Sequence, residues 1–377
     1  MPGKRVEQQG AKLGPGCKID CARVNVINAD EATHKYRILK SGGHYADDDN
    51  SARHTLNKGE KAAYLGAELC LMQKKATVGL PVSRTKFDEL QENHQIQANV
   101  VHQVGAFLPY HRYLMWAHEH LLRTECGYKG AQPYWYEQMD AGKFSKSKLF
   151  DAKLGFGGDG RAKDHCITTG LFKDYENVIG PGFENTKHCI DREISDEASE
   201  MVAQQFVDRC DRYNTYEKAR PCIEGAPHAG GHGGVGRQMS NAISSPGDPL
   251  FYLHHTWLDK VWWDWQTKNI TSRLYDMSGP NTQPRNCWPR PPPGEECPED
   301  LFPQPPAHIQ NMQTVDGDPG KETTLNHVLN MMGIIRNVTI EKVMDIRNEI
   351  LCYEYVEPDE EVHQQQEEDE EDEGQDA

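Results

Sequence analysis

The spacing of the histidines is the feature that most constrains how this chain can fold. His94, His102 and His111 fall within one 18-residue stretch, and His228 and His232 are four residues apart. Residues at positions i and i+4 share one face of a helix, about 40° apart. The sequence therefore predicts helical segments that each direct imidazoles toward a common point.

Imidazoles grouped in this way are suited to binding a metal ion. Neutral histidine binds copper and zinc well, and an i,i+4 pair with a third histidine from another helix makes a three-nitrogen site. His254 and His255, in a tryptophan-rich segment, provide such a third histidine for the second group. Two triplets on antiparallel helices converge in the core of a helix bundle, so we predict a dinuclear metal site.

The remaining ten of the 17 histidines stand singly. A lone histidine among helices is more often a surface residue, or a core residue with its hydrogen bonds satisfied, than a metal ligand. We give that interpretation to His34, His44, His54, His118, His120, His165, His188, His308, His327 and His363.

Apolar periodicity and the positions of proline predict a mainly α-helical chain. Long loops are predicted where glycine, aromatic residues or proline dominate, and the last segment, LCYEYVEP, has β character. The predicted helices begin near Asn57, at Thr85, at Pro109, at Ser195 (to Tyr213), at Pro227 and at Pro249 (to Gln266); the predicted loops span residues 128–187 and 280–306.

The charge distribution excludes one class of partner. The formal charge is −17, but twelve acids lie in residues 357–377, so the body carries about −17 + 12 = −5. Phosphate binding needs clustered cations, so we expect no nucleic acid partner. No apolar run approaches the roughly 18 residues of a membrane helix. We predict an irregular N-terminal extension at residues 1–54, a folded domain at 55–356 and a disordered acidic tail at 357–377.

The cysteines and the N-terminus bear on the compartment. Eleven cysteines without a CxxC pair predict several disulfides, one of them joining Cys287 to Cys297, and at least one free thiol because the count is odd. The first residues, MPGKRVEQQGAKLGPG, contain no apolar signal-peptide core, which favours the cytoplasm. The sequons at Asn269 and Asn337 agree instead with a secreted, trimmed mature form. Both locations stay open.

Two stretches resemble the copper-binding regions of the type 3 copper proteins, which are the tyrosinases, catechol oxidases and hemocyanins. The first runs from His94 to FLPYHR at 107–112, and the second includes PHAGGHGGVG and SPGDPLFYLHHTWLD within 227–259. The family pattern D-P-x-F-x-x-x-H-x-x-x-D selects His255, and CYEY at 352–355 resembles the family's Tyr-x-Tyr ending. The resemblance covers about residues 55 to 356 and is strongest to short fungal tyrosinase-like proteins.

This resemblance implies a mainly α fold: a four-helix bundle around a dinuclear metal site, with long loops and a few short strands. It also implies two copper ions that oxidise o-diphenols, and in some members monophenols, to o-quinones with O₂. The small phenolic substrate and O₂ are then the partners, and the oligomeric state is open. The implied ligands are His94, His102 and His111 for the first metal, and His228, His232 and His255 for the second.

Other residues match family positions near the metals. Glu224, four residues before His228, matches an acid that holds a water molecule and assists substrate deprotonation. Arg112 and Asp259 match positions whose side chains orient the ligand rings, and Ala242 matches the family's gate residue, where alanine leaves access to the first metal open.

Several departures from the family pattern narrow the expected activity. Ala229 replaces an asparagine of monophenol-active members, and Val100 stands where fungal members have a thioether cysteine. Tyr110 and Tyr113 also replace more usual residues. These changes favour diphenol oxidation over monophenol hydroxylation.

Two other functions fit the same residues. Six histidines bind zinc as well as copper, so a non-redox zinc enzyme of fungal secondary metabolism, similar to the cyclopenases of quinolone alkaloid pathways, is the first alternative. An oxygen carrier is the second. Oxygen-independent activity would favour the zinc enzyme, whereas reversible oxygenation without turnover would favour the carrier.

Overall fold

The structure is a computed structural model that describes residues 22–24, 36–37, 56–283, 303–355 and 357–358 of the 377-residue chain. The predicted character of most of residues 1–54, of most of the acidic tail and of the Cys287–Cys297 bridge lies outside these ranges. Those three expectations stay predictions.

Helices make up most of the regular structure in the described ranges, which confirms the mainly α prediction. A π-helix, Glu224–His228, joins α6 to α7. The α-helices are α1 (Lys58–Gln73), α2 (Lys86–Val101), α3 (Phe107–Cys126), α4 (Asp196–Ser199), α5 (Gln204–Asp211), α6 (Tyr216–Ile223), α7 (Ala229–Val235), α8 (Leu250–Lys268), α9 (Ile270–Arg273) and α10 (Ala307–Gln310).

The strands are short and form two-stranded sheets. β1 pairs with β7 in parallel, whereas β2 with β8, β3 with β4 and β5 with β6 are antiparallel. The strands are β1 (Ala22–Val24), β2 (Tyr36–Arg37), β3 (Glu176–Asn177), β4 (His188–Cys189), β5 (Val328–Leu329), β6 (Val338–Thr339), β7 (Tyr353–Tyr355) and β8 (Glu357–Pro358). The predicted β character of the last segment is therefore confirmed.

Reciprocal caps start the first two helices where the sequence predicts them. The Asn57 side chain accepts from the Glu60 N–H, and the Glu60 carboxylate accepts from the Asn57 N–H. Thr85 and Asp88 make the same exchange at α2. Each cap satisfies two backbone donors that a helix start otherwise leaves unpaired.

The third helix begins slightly before the predicted start. It starts at Phe107, so Pro109 occupies its third position, where an N–H has no partner within the helix. The helix ends at Gly127, which takes a left-handed conformation with φ of 69°. Glycine adopts this conformation without steric cost.

Two predictions between residues 195 and 235 are wrong. The single helix predicted from Ser195 to Tyr213 is divided, because Ala203 takes an extended conformation between α4 and α5. Helix α6 had no predicted counterpart. Pro227 does not start a helix but lies inside a continuous helical run, where the π-helix widens the backbone around it.

Helices α2, α3, α7 and α8 surround the centre of the molecule, and α1 packs against α2 and α3. This arrangement confirms the predicted four-helix bundle. The interior between them contains large aromatic side chains, among them the fully buried Trp257, Trp262 and Trp265 of α8. Across the described residues, we find no helix with both the length and the apolar character needed to span a bilayer.

Disulfides join separate elements of the described chain. Cys70–Cys126 links α1 to the end of α3, Cys166–Cys189 links a loop residue to β4, and Cys210–Cys222 links the consecutive helices α5 and α6. Cys352 is disulfide-bonded as well. The prediction of several disulfides is confirmed.

Candidate metal centre

The first three predicted ligands lie together around the junction of α2 and α3. His94 is on α2, His102 directly follows its last residue, and His111 is on α3. Their ring centroids lie 5.0 to 5.5 Å apart. Each offers a nitrogen within 4.8 Å of those of the other two, and none is more than 3% exposed. The helix turns thus bring three imidazoles to one buried point.

The second group lies where the π-helix and α7 face α8. His228 ends the π-helix, His232 is on α7, and His255 is on α8. The ring centroid of His228 lies 4.5 Å from that of His232 and 5.3 Å from that of His255. The Nε2 atoms of His232 and His255 are 3.3 Å apart. That separation is about the edge of a tetrahedron with nitrogens roughly 2.0–2.1 Å from a central ion.

Backbone carbonyls hold most of these rings in one orientation. The Nδ1 atoms of five rings lie 2.5 to 3.1 Å from carbonyl oxygens. When Nδ1–H donates to a carbonyl, Nε2 keeps a lone pair for a metal. The five pairs are His94 with Ile243, His102 with Ala98, His111 with Phe107, His228 with Glu224 and His232 with Met239.

Burial keeps the imidazoles neutral. It lowers the pKa of His102 to about 4 and that of His232 to about 3, and it takes the pKa of the other predicted ligands well below the usual value. The Nε2 atoms of His94, His111 and His228 are buried without a hydrogen-bond partner. Buried polar atoms without partners are costly, and a bound metal ion would satisfy these three. The donor set therefore fits copper or zinc.

The two groups adjoin one another. The rings of His111 and His255 stack with centroids 4.1 Å apart, and those of His102 and His228 lie 6.2 Å apart. The sequence analysis missed two phenylalanines that pack among these rings. The ring centroid of Phe107 lies 4.8 Å from those of both His111 and His228, and the ring centroid of Phe251 lies 4.2 Å from that of His255. Such a site can hold two metal ions side by side in an apolar surrounding.

A buried carboxylate beside the second group was also missed. Glu137 is in a short 3₁₀-helix (Glu137–Asp140), and its Oε1 lies 2.7 Å from Nδ1 of His254. His254 offers a nitrogen within 4.8 Å of those of the second group. Burial raises the pKa of Glu137 well above the usual value and lowers that of His254. Because Glu137 and His254 are 117 residues apart, no local pattern could indicate this pair.

Glu224 contacts His228 of the second group and the chain neighbour of His102 in the first. Its Oε1 accepts a 2.6 Å hydrogen bond from the N–H of Gln103, which follows His102, and its backbone carbonyl lies 3.1 Å from Nδ1 of His228. Arg220 donates to Oε2 at 2.5 Å. Burial raises the pKa of Glu224, and Arg220 opposes that shift. The predicted role of Glu224 in holding a water molecule stays a prediction.

Arg112 and Asp259 bind each other, not the ligand rings. They form a buried ion pair, and Arg112 also donates to the carbonyls of Val343 and Met344. Asp259 accepts from the hydroxyls of Tyr353 and Tyr355. These contacts fasten the C-terminal strand to α3 and α8, so the pair acts on the bundle as a whole.

Ala242, the predicted gate residue, is half-buried in the turn between α7 and α8. The next residue, Ile243, supplies the carbonyl that faces Nδ1 of His94, 3.0 Å away. The turn therefore contacts the first group. The gating role stays a prediction.

Several of the singly placed histidines have ordinary structural partners. His118 is buried between Glu68 and Gln132, His327 pairs with Asp318, and His120 stacks on Trp116. These three lie outside both groups, as predicted. His34, His44, His54 and His363 are outside the described residues.

We expect Gly231→Ala to damage the second group selectively. A Cβ at Gly231 would overlap the ring of His254 and Oε2 of Glu137. Overpacking of this kind costs about 1–3 kcal/mol of unfolding free energy. Urea unfolding and zinc titration would measure the losses of stability and of second-site affinity.

Gly233→Ala is the matched control, because it lies on the same helix and its Cβ would make only an ordinary contact with Ala198. Alanine at position 233 reduces the conformational freedom of the unfolded chain. The free energy of unfolding of Gly233→Ala should therefore be unchanged or raised by about 0.4–1 kcal/mol. Equal effects of the two substitutions would contradict the proposed close approach at Gly231.

Comparisons with known proteins agree with the fold. Residues 84–268 match the family profile described as the common central domain of tyrosinase. Tyrosinase-like protein phomQ2 of Diaporthe leptostromiformis is 26% identical over 313 residues, covering 80% of this chain and 71% of the relative. Tyrosinase ustQ of Aspergillus flavus is 26% identical, covering 80% and 77%, and oxidase hkm6 of Aspergillus hancockii is 25% identical, covering 71% and 99%.

A solved structure supports the same architecture. A polyphenol oxidase from Thermothelomyces thermophila superimposes with a TM-score of 0.65 at 24% identity, covering 80% of this chain and 87% of that one. At this identity the likeness concerns the fold. The region matched by the family profile includes all six predicted metal ligands.

Proposed function

We propose that this chain, which belongs to the type 3 copper family through its tyrosinase central domain at residues 84–268, oxidises o-diphenols to o-quinones with O₂ at two copper ions. The observation that carries the proposal is the pair of adjoining triplets of buried, neutral imidazoles. His94, His102 and His111 would hold one ion, and His228, His232 and His255 the other. The names of the relatives, tyrosinase and oxidase among them, also favour redox chemistry.

The chain itself positions the imidazoles and provides their apolar surroundings. Copper bound at both groups would supply electron transfer, so that two diphenols, giving two electrons each, reduce one O₂ to two water molecules. Carbonyls fix five of the imidazoles before any ion binds, so little rearrangement is needed on binding. Phe107 and Phe251 exclude water from the space beside the rings.

Diphenols are the favoured substrates. Hydroxylation of a monophenol needs a base near the metals, and the Glu224 carboxylate already accepts from Arg220 and from the Gln103 N–H. Ala229 is exposed and offers no amide to orient a water molecule beside Glu224. Ala242 is half-buried, and its short side chain would leave access to the first metal open.

Metal content and oxidation should be measured on the same preparation. We expect about two copper ions per chain after copper loading, quinone formation from catechol, and consumption of O₂ in step with it. The apoprotein and the zinc-loaded protein should both be inactive, because zinc exchanges no electrons.

The same measurement tests the alternative. An all-imidazole donor set also binds Zn²⁺, and metal availability decides as much as affinity, which is the observation that keeps a non-redox zinc enzyme as the second candidate. Two zinc ions that copper does not displace, with no O₂ uptake on any catechol, would contradict the oxidase and favour that candidate.

A further inference from the structure

Glu137 is a buried carboxylate beside the second histidine group. Its side chain is 0% exposed, and Oε1 lies 2.7 Å from Nδ1 of His254. Its Oε2 has no hydrogen-bond partner and lies against Gly231 of α7, between His228 and His232 in sequence. A carboxylate in the interior is costly unless a positive charge lies nearby.

Within the described part of the chain, no lysine or arginine forms an ion pair with Glu137, and the imidazole of His254 is its hydrogen-bond partner. The other charged group that acts on it is Asp140, an acid, which adds like charge. Glu224, whose carboxylate accepts from the Gln103 N–H and whose carbonyl faces His228, differs because Arg220 binds its carboxylate directly. Arg220 thus offsets the charge of Glu224, whereas among the described residues Glu137 pairs only with the imidazole of His254.

A metal ion in the second group would lie next to this carboxylate–imidazole pair. The ring centroid of His254 is 4.6 Å from that of His232 and 5.7 Å from that of His228. The ligand imidazoles are neutral, so they bring no negative charge to balance a cation. In the first group every Nδ1 faces a neutral backbone carbonyl.

We propose that Glu137 supplies compensating negative charge to the second metal ion, acting through His254, and makes that site the tighter one for divalent cations. The inference rests on the proposed dinuclear metal centre, but it does not depend on the oxidase reaction. Glu137 and His254 are positioning residues here. The reason is Coulombic: opposite charges in a poorly solvated interior attract more strongly than in water.

Zinc titration of single-site proteins tests the inference. The His111→Ala protein keeps only the second site, and the His228→Ala protein keeps only the first. Glu137→Gln keeps an oxygen that accepts from His254 but removes the charge. In the His111→Ala background we expect it to weaken Zn²⁺ binding roughly 10–100-fold, as changes beside metal ligands do. In the His228→Ala background we expect little change.

Binding of a second ion distinguishes an effect of the Glu137 charge from an effect of structure. Ag⁺ binds imidazole with half the charge of Zn²⁺, and Coulomb energy is proportional to ionic charge. If Glu137→Gln weakens Zn²⁺ binding about 100-fold, the loss for Ag⁺ should be about 10-fold. A purely structural role would weaken both ions equally, and that result would overturn the inference.

The chain provides a matched control in Glu68→Gln. Glu68 and His118 form a buried carboxylate–imidazole pair away from the metal ligands, both 0% exposed. Glu68→Gln should leave both zinc affinities unchanged. If Glu137→Gln does not fold, as judged by near-UV circular dichroism, the Zn²⁺-to-Ag⁺ ratio of His254→Gln decides.

The outcomes distinguish this inference from the proposed function. Unchanged second-site zinc affinity in Glu137→Gln would overturn the role of Glu137 and leave the oxidase proposal intact. The expected loss of zinc affinity in Glu137→Gln, together with copper-loaded protein that does not oxidise catechol, would overturn the oxidase proposal and leave the role of Glu137 intact. A chain that binds neither zinc nor copper would overturn both proposals.

Discussion

Replacing His228 by alanine is expected to leave one tightly bound metal ion per chain instead of two and to reduce catechol oxidation to background. His228 is a predicted ligand of the second group, and its ring centroid lies 4.5 Å from that of His232 and 5.3 Å from that of His255. Outer-shell changes alone weaken metal binding roughly 10–100-fold, so loss of a ligand should weaken the second site by more than about 100-fold. Elemental analysis and catechol oxidation measure the two effects.

His120→Ala is the control for this substitution. His120 is exposed, stacks on Trp116 and lies outside both groups. It should keep two metal ions and full activity. A His228→Ala protein with unchanged metal content and activity would show that the second site is assigned to the wrong residues.

Arg112→Ala is expected to cause the largest loss of stability. The guanidinium is 1% exposed, pairs with Asp259, donates to two C-terminal carbonyls and lies 3.8 Å from the Trp262 ring. Removing it would leave the Asp259 carboxylate buried without its partner. Breaking a buried pair in this way costs about 3–5 kcal/mol of unfolding free energy. Urea unfolding of the metal-free protein measures it.

The same substitution at Arg123, on the same helix, is the control. Arg123 pairs with Glu119 four residues earlier, and its side chain is 48% exposed. An exposed i,i+4 pair contributes only about 0.3–0.5 kcal/mol. Similar losses for the two variants would mean that the Arg112–Asp259 pair does not hold the C-terminal strand in place.

Local patterns predicted the helices that carry the ligands. The caps at Asn57 and Thr85 start α1 and α2 as expected, and Pro109 lies in the first turn of α3. Where two prolines interrupt the pattern, the boundaries were wrong. Pro221 lies inside α6 and Pro227 inside the π-helix that follows it without a break. No rule based on apolar periodicity anticipates a helical run that continues through two prolines.

Spacing and resemblance together predicted six ligands, and the structure brings these histidines into two adjoining groups. Arg112 and Asp259 match family positions near the ligands, and in the structure they bind each other and the C-terminal segment. The identity of a residue indicates which bonds it is able to form. It does not indicate which of several nearby acceptors lies within reach.

The sequence by itself predicted a dinuclear metal site, because residue type and helical spacing are local properties. The spacing of two histidines along a helix decides whether their side chains lie on the same face. Only the tertiary structure decided the surroundings of those ligands. Glu137 reaches His254 across 117 residues, and Phe251 meets His94 across 157. Such contacts depend on how whole helices pack, and packing is settled by the sum of many weak interactions spread over the entire core.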